Sequence, residues 1–151
     1  MSEKNDIVFE TCKLLVKHFR NLMNYSPDRD IGFHTRVFSH FLHPESHFVH
    51  IGESLEVNSK TPTHPEHVVP CAVLIVETRR LIREGRVSDN KIAAILARHW
   101  KVATITKDEA NRLDFQLGLK SIMPDGWTFE HGETLARLDV AGIKLKRNDD
   151  E

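Results

Sequence analysis

The sequence predicts a single α+β domain, rich in helix, with a small antiparallel sheet. Three observations predict it. Apolar residues recur at three- and four-residue steps in several windows that begin at capping residues; short β-branched runs lie between those windows; and no repeat, low-complexity tract or Gly/Ser linker divides the 151 residues. With 40% apolar and 28% charged side chains, 7 Gly and 6 Pro, the composition is that of one globular domain. A chain of this length buries roughly two thirds of its unfolded surface, enough for a core without disulfides or a structural metal. Five or six helices are expected.

The first helix is expected from about Asp6 to Asn24. Phe9, Cys12, Val16, Phe19 and Met23 form its apolar stripe, and Asn5 or Asp6 can cap it. Ser26-Pro27-Asp28 stops that helix and opens a shorter one, whose apolar side is Val37, Phe38, Phe41 and Leu42 before Pro44. The alternation in FVHIGESLEVN, with Gly52 and Ser54 at its middle, predicts a β-hairpin. TPTHPEH carries two prolines and is expected to be a loop, because proline disfavours helix in the residue before it. Pro70 suits a first helical turn, and CAVLIVETRRLIRE then runs unbroken to Gly85, a helix terminator. Ser88 caps the next helix, DNKIAAILARHW, with Ile92, Ile95, Leu96 and His99 on adjoining faces. Val102 to Ile105 reads as a strand, and Thr106 with Glu109 makes a capping box for a helix carrying Leu113, Leu117 and Leu119. A turn at Met123-Pro124-Asp125-Gly126, a short strand at Trp127 and Phe129, a helix over 133–141 closed by Gly142, and a strand from Ile143 to Leu145 complete the chain. The domain is expected to span 1–146, with 147–151 a charged tail that frays.

No apolar run approaches the roughly 18 residues that span a bilayer, and MSEKNDIVFE has charges where a signal peptide needs an apolar core. Cys12 and Cys71 are too few and too far apart for a disulfide framework or a multi-Cys zinc module. A cytoplasmic protein with free thiols, away from the membrane, is expected. The net charge of −1 provides no whole-molecule attraction to nucleic acid, but residues 76–107 hold 8 basic and 3 acidic side chains. Arg79, Arg83 and Arg86 follow roughly helical spacing, and Arg98 and Lys101 follow soon after. Two readings of this region stand open: a solvated helix face, and a contact for nucleic-acid phosphates over 79–101.

The sharpest motif is Glu66-His67-Val68-Val69-Pro70, an acid followed by His, two apolar β-formers and Pro. Together with Asn90 and His99, nine residues apart, it resembles the HNH, or ββα-metal, nuclease family over about 34 residues. The resemblance implies a divalent metal (Mg²⁺, Mn²⁺ or Zn²⁺) held by Glu66 and His99. It also implies that His67 is the general base for the attacking water and that Asn90 positions that base. The roles are chemically coherent: the ion stabilises charge developing on phosphate, and an imidazole with an ordinary pKa of about 6.5 accepts a proton near neutrality. Because 71–84 is helix-forming, an intact ββα unit would carry a helix inserted between its strands. With ITKDEANRLD and MPDGW downstream, the pattern is also similar to a small bacterial or phage family.

His34, His40, His43, His47, His50, His64 and His67 form a second constellation. Zinc needs three or four converging ligands, and only His40 and His43 are spaced to share a helix face before Pro44 interrupts them. A surface whose contacts change between about pH 5 and 8 is the other reading. Cys71 reads first as a small buried hydrophobe, although a helix start four residues from His67 is also a setting that activates a thiol. Trp100, Trp127 and Phe129 are core or interface aromatics. Phosphate loops, G-x-S-x-G and H-E-x-x-H are missing from the sequence. Two functional classes follow: a metal-dependent HNH-like nuclease or degenerate relative acting on nucleic acid, and a non-enzymatic modulator that binds a protein or nucleoprotein partner.

Overall fold

A computed structural model of the chain describes residues 2–146, so the tail expected to fray lies outside the described residues. The Ser2 hydroxyl accepts from the Asn5 amide at 3.1 Å and opens α1 (Glu3–Tyr25), with Glu3 and Asp6 in the first turn, where the helix dipole favours acids. Its stripe Val8, Cys12, Leu15, Val16 and Phe19 is buried, and it packs chiefly on α5 (Asp89–His99). Two short helices follow, α2 (Val37–Phe41) and α3 (Glu45–Val49). α4 (Cys71–Glu84) starts directly after Pro70 and ends at Gly85, whose φ of +68° is the left-handed cap a glycine adopts without strain. Ser88 caps α5 as the sequence implies.

Three strands make one mixed sheet in the order β1 (His50–Glu53), β3 (Val102–Thr106), β2 (Thr63–His67). β1 runs parallel to β3 and β2 antiparallel, with His67 opposite Val102. As the central strand, β3 is covered on both sides, which suits its small and β-branched side chains. Val102 joins the large helical core around Trp100 and Phe38, whereas Ala103 and Ile105 join a smaller one with Val68, Leu113, Leu138 and Ile143. Thr106 and Glu109 form the expected capping box at the start of α6 (Lys107–Asn111), which passes into a π-helical turn over Arg112–Gln116. α7 (Ala136–Val140) lies across the second core.

The α+β architecture is therefore present, but the sheet expected to be antiparallel is mixed, because β1 joins β3 in parallel, and four local corrections apply. The predicted hairpin at 48–58 is instead the end of α3 followed by β1, which pairs with a strand some fifty residues later. The predicted loop TPTHPEH is mostly β2. No strand forms at Trp127 and Phe129, and Leu145 makes only an isolated bridge to Ser54. Among the described residues, no helix is long and apolar enough to cross a membrane.

Candidate active site

β2 ends at His67 and the buried turn Val68-Val69-Pro70 leads into α4, so His67 and Cys71 stand at the rim of a cleft of about 620 Å³. Arg36, Glu45, Glu66, Asp114 and Lys120 also line it. Glu45, in the first turn of α3, receives a hydrogen bond from His67 Nε2 at 2.8 Å and another from the indole N–H of buried Trp100 at 2.6 Å, both on Oε2. Cys71, four residues on across the Val68-Val69-Pro70 turn, lines the same cleft as His67 and Glu45. Burial alone would depress the basicity of His67. The side chains of Cys71 and Glu45 and their charges outweigh burial and lift the His67 pKa to about 10. Glu45 shows the complement: burial opposes its charge, but the hydrogen bonds from His67 and Trp100 hold the carboxyl below its ordinary pKa. Cys71 is half-buried and is the first residue of a 14-residue helix. The Val73 and Leu74 amides bond back to the Pro70 carbonyl, whereas those of Cys71 and Ala72, as the first two of the helix, have no intrahelical acceptor.

The four residues implied by the HNH resemblance are not brought together. Glu66, 8% exposed, is ion-paired at 2.9 Å to Arg137, which has no exposed surface, and lies 3.2 Å from His64. His99 is sealed in the core between Trp127 and Phe129, with Nε2 on the Phe129 carbonyl at 2.8 Å and Nδ1 on the Thr134 hydroxyl at 2.9 Å. Burial is the chief reason its pKa falls to about 4. Asn90 is exposed at the other end of α5, about 13 Å of helical rise from His99. The group that orients His67 is Glu45. As a test of metal fit the donor set fails: a guanidinium already occupies Glu66, both His99 nitrogens are engaged, and no three His, Cys, Asp or Glu among the described residues form a cation site.

The remaining predicted residues are also dispersed. Arg79 is buried, bonded to Asp30 at 2.6 Å and stacked 4.0 Å from the Phe33 ring. Arg98 is exposed but donates to the carbonyls of Phe129 and Glu130, Lys101 is half-buried with its pKa lowered mainly by that burial, Arg83 is exposed near the end of α4, and Arg86 is exposed in the turn between α4 and α5 rather than on a helix face. His34, His40, His43 and His47 are exposed, and His50 bonds Thr104 at 2.8 Å. The sequence reading missed Glu45 and Arg137. Arg137 donates to Leu119 O, His67 O and Glu66, so it anchors the end of β2 from α7. Comparison with protein-family models, curated proteins and solved structures returned no match of any of the three kinds.

Proposed function

We propose that the chain is a cysteine-dependent hydrolase of carboxylic esters or thioesters, with Cys71 as nucleophile, His67 as the proton-transfer group and Glu45 as its orienting partner. The observation that carries this reading is that Cys71, His67 and Glu45 line one cleft, with His67 bonded to Glu45 at 2.8 Å. A thiol, a base and a carboxylate that orients the base, gathered at one cleft, are the minimum apparatus of covalent acyl transfer, whatever the fold. His67 holds the thiol proton as an imidazolium, and the Sγ thiolate attacks the acyl carbon. The Sγ–C bond forms while the carbonyl electrons move to oxygen, which in this reading accepts from the Cys71 and Ala72 amides. The C–O or C–S bond to the leaving group then breaks, and the leaving group takes the proton from His67. Water, deprotonated by His67, cleaves the resulting thioester, releasing the acid and restoring the thiol. The imidazolium suits the first step, and once the leaving group has taken its proton the neutral ring is the base for water.

A second reading, metal-dependent cleavage of a nucleic-acid phosphodiester, is supported by one observation. β2 and β3 are antiparallel and α6 follows β3 and packs on both, the strand, strand, helix order that the HNH resemblance implies, with α4 and α5 inserted.

One set of assays separates them. The protein and its Cys71→Ala, His67→Ala and Glu45→Gln variants are given p-nitrophenyl acetate, and separately plasmid and RNA with each metal or with chelator. The thiol mechanism gives metal-independent ester turnover, an acetyl adduct on Cys71 seen by mass spectrometry, and a loss of about 10²–10⁴-fold in His67→Ala. Cys12 is the internal control, because burial pushes its thiol up to about 12 and it should stay unmodified. Full ester turnover in Cys71→Ala overturns the proposal, and chelator-sensitive DNA or RNA cleavage lost in His67→Ala establishes the second reading. Inactivity in every assay leaves the partner-binding modulator.

A further inference from the structure

The candidate cleft does not end at Cys71. Ala72 and Ser121, which line it, also line a second groove of about 370 Å³ whose other walls are Val73, Val76, Ile122, Met123 and Trp127. We infer that this groove is the acyl-chain subsite of the hydrolase, so that the substrate is an ester or thioester of an apolar, alkyl-chain carboxylic acid. The inference rests on the thiol-hydrolase reading and specifies its substrate class.

The placement follows from α4. Cys71 is its first residue, and Ala72, Val73 and Val76 stand at helical spacings of three and four that put them on one side. Val76 lies about 7.5 Å along the axis and about 140° around it from Cys71, so an acyl group bonded to Sγ reaches the groove by passing over Ala72, which lines both compartments. The facing wall comes from the segment after the π-helical turn, where Ile122 is 57% exposed; Val76 is 59% exposed. These two side chains gain most when an alkyl chain removes them from water. The polarity changes sharply between the two compartments. Charged groups surround the thiol, whereas the groove holds one charged residue, Glu77, whose carboxylate is engaged by Arg80 at 3.2 Å. An apolar recess joined to a few convergent polar groups is the usual form of a small-molecule site.

The test is a series of p-nitrophenyl esters from acetate through butyrate and hexanoate to octanoate, with Val76→Asp and Ile122→Asp beside the unaltered protein. Both positions are exposed and are not among the catalytic residues, and an unchanged melting temperature verifies that they fold. The expected result is a kcat/KM that rises two- to fourfold per added methylene until the groove is filled. In both variants the rise disappears, so that the ratio of octanoate to acetate kcat/KM falls to about one or below. Cys71-dependent acetate hydrolysis with a rate that is flat or falls with chain length overturns the subsite and leaves the hydrolase standing. If acetate is not turned over at all, the catalytic reading fails separately. Trp127 fluorescence titrated with octanoate then decides the groove: saturable quenching that Ile122→Asp removes supports it, and no quenching overturns it.

Discussion

Arg137 has no exposed surface, yet it is the residue on which the candidate site stands. Its guanidinium spans α7, the chain at Leu119 and the end of β2, and it is the ion-pair partner that Glu66 meets in the interior. A buried ion pair adds modest net stability, but removing one member leaves the other charged and unsolvated. Arg137→Met should therefore destabilise the protein by about 3–5 kcal/mol, read as a lower urea midpoint. Adding Glu66→Gln to that variant should restore part of the loss, because the stranded charge is gone. A loss under about 1 kcal/mol for the single variant, comparable with an exposed pair, would show that water reaches the site and that Arg137 does not fix His67 through its carbonyl.

At the scale of elements, local signals were legible and distant ones were not. Ser88, Gly85 and the Thr106 with Glu109 box mark helix ends by bonds within four residues, and all three are found where the sequence puts them. The box carries a prediction. Thr106 Oγ1 accepts from the Glu109 amide at 3.0 Å, and Glu109 returns a bond to the Thr106 amide at 2.9 Å. Thr106→Ala should cost about 1–2 kcal/mol in thermal or urea unfolding while Thr106→Ser keeps most of it; equal losses in both would mean that the threonine methyl, not the hydroxyl, holds the turn. β1 and β2 were misread because their partner is far away. Alternation in FVHIGESLEVN cannot reveal a parallel neighbour some fifty residues on, and Pro65 looks like a strand breaker until β2 is seen to be an edge, where a missing amide donor is tolerated. The same rule governs the candidate site. His67 and Cys71, four apart, drew notice in the sequence, as did the buried turn between them. Glu45 lies 22 residues upstream and Arg137 70 downstream, with no local pattern tying them to His67.

Across the whole molecule, two histidines displaced in opposite directions shape stability against pH. His99, with no exposed surface, titrates near 4 when folded and near 6.5 when unfolded, so as pH falls through that interval only the unfolded chain takes up the proton. Its contribution is complete above about pH 6.5 and lost toward 4, roughly 2 kcal/mol between pH 8 and 5. His67 does the reverse. Its folded pKa of about 10 means that the folded state keeps a proton that the unfolded chain has released, so its contribution is complete below about 6.5 and is lost as pH rises toward 10. With its side chain about one third exposed, solvent screening makes that limb the shallower of the two. Stability should thus peak near pH 6.5, where the limbs meet. Urea midpoints collected from pH 5 to 10 check the curve, and two variants assign its sides. His67→Gln should flatten the alkaline limb alone, and His99→Gln, whose amide can still reach the Phe129 carbonyl or Thr134, should flatten the decline between pH 6.5 and 5. A protein equally stable at pH 5 and pH 7 would mean that His99 is free to charge in place. That result would place water inside the packed cluster of His99, Trp127 and Phe129, with the large core open at the end of α5.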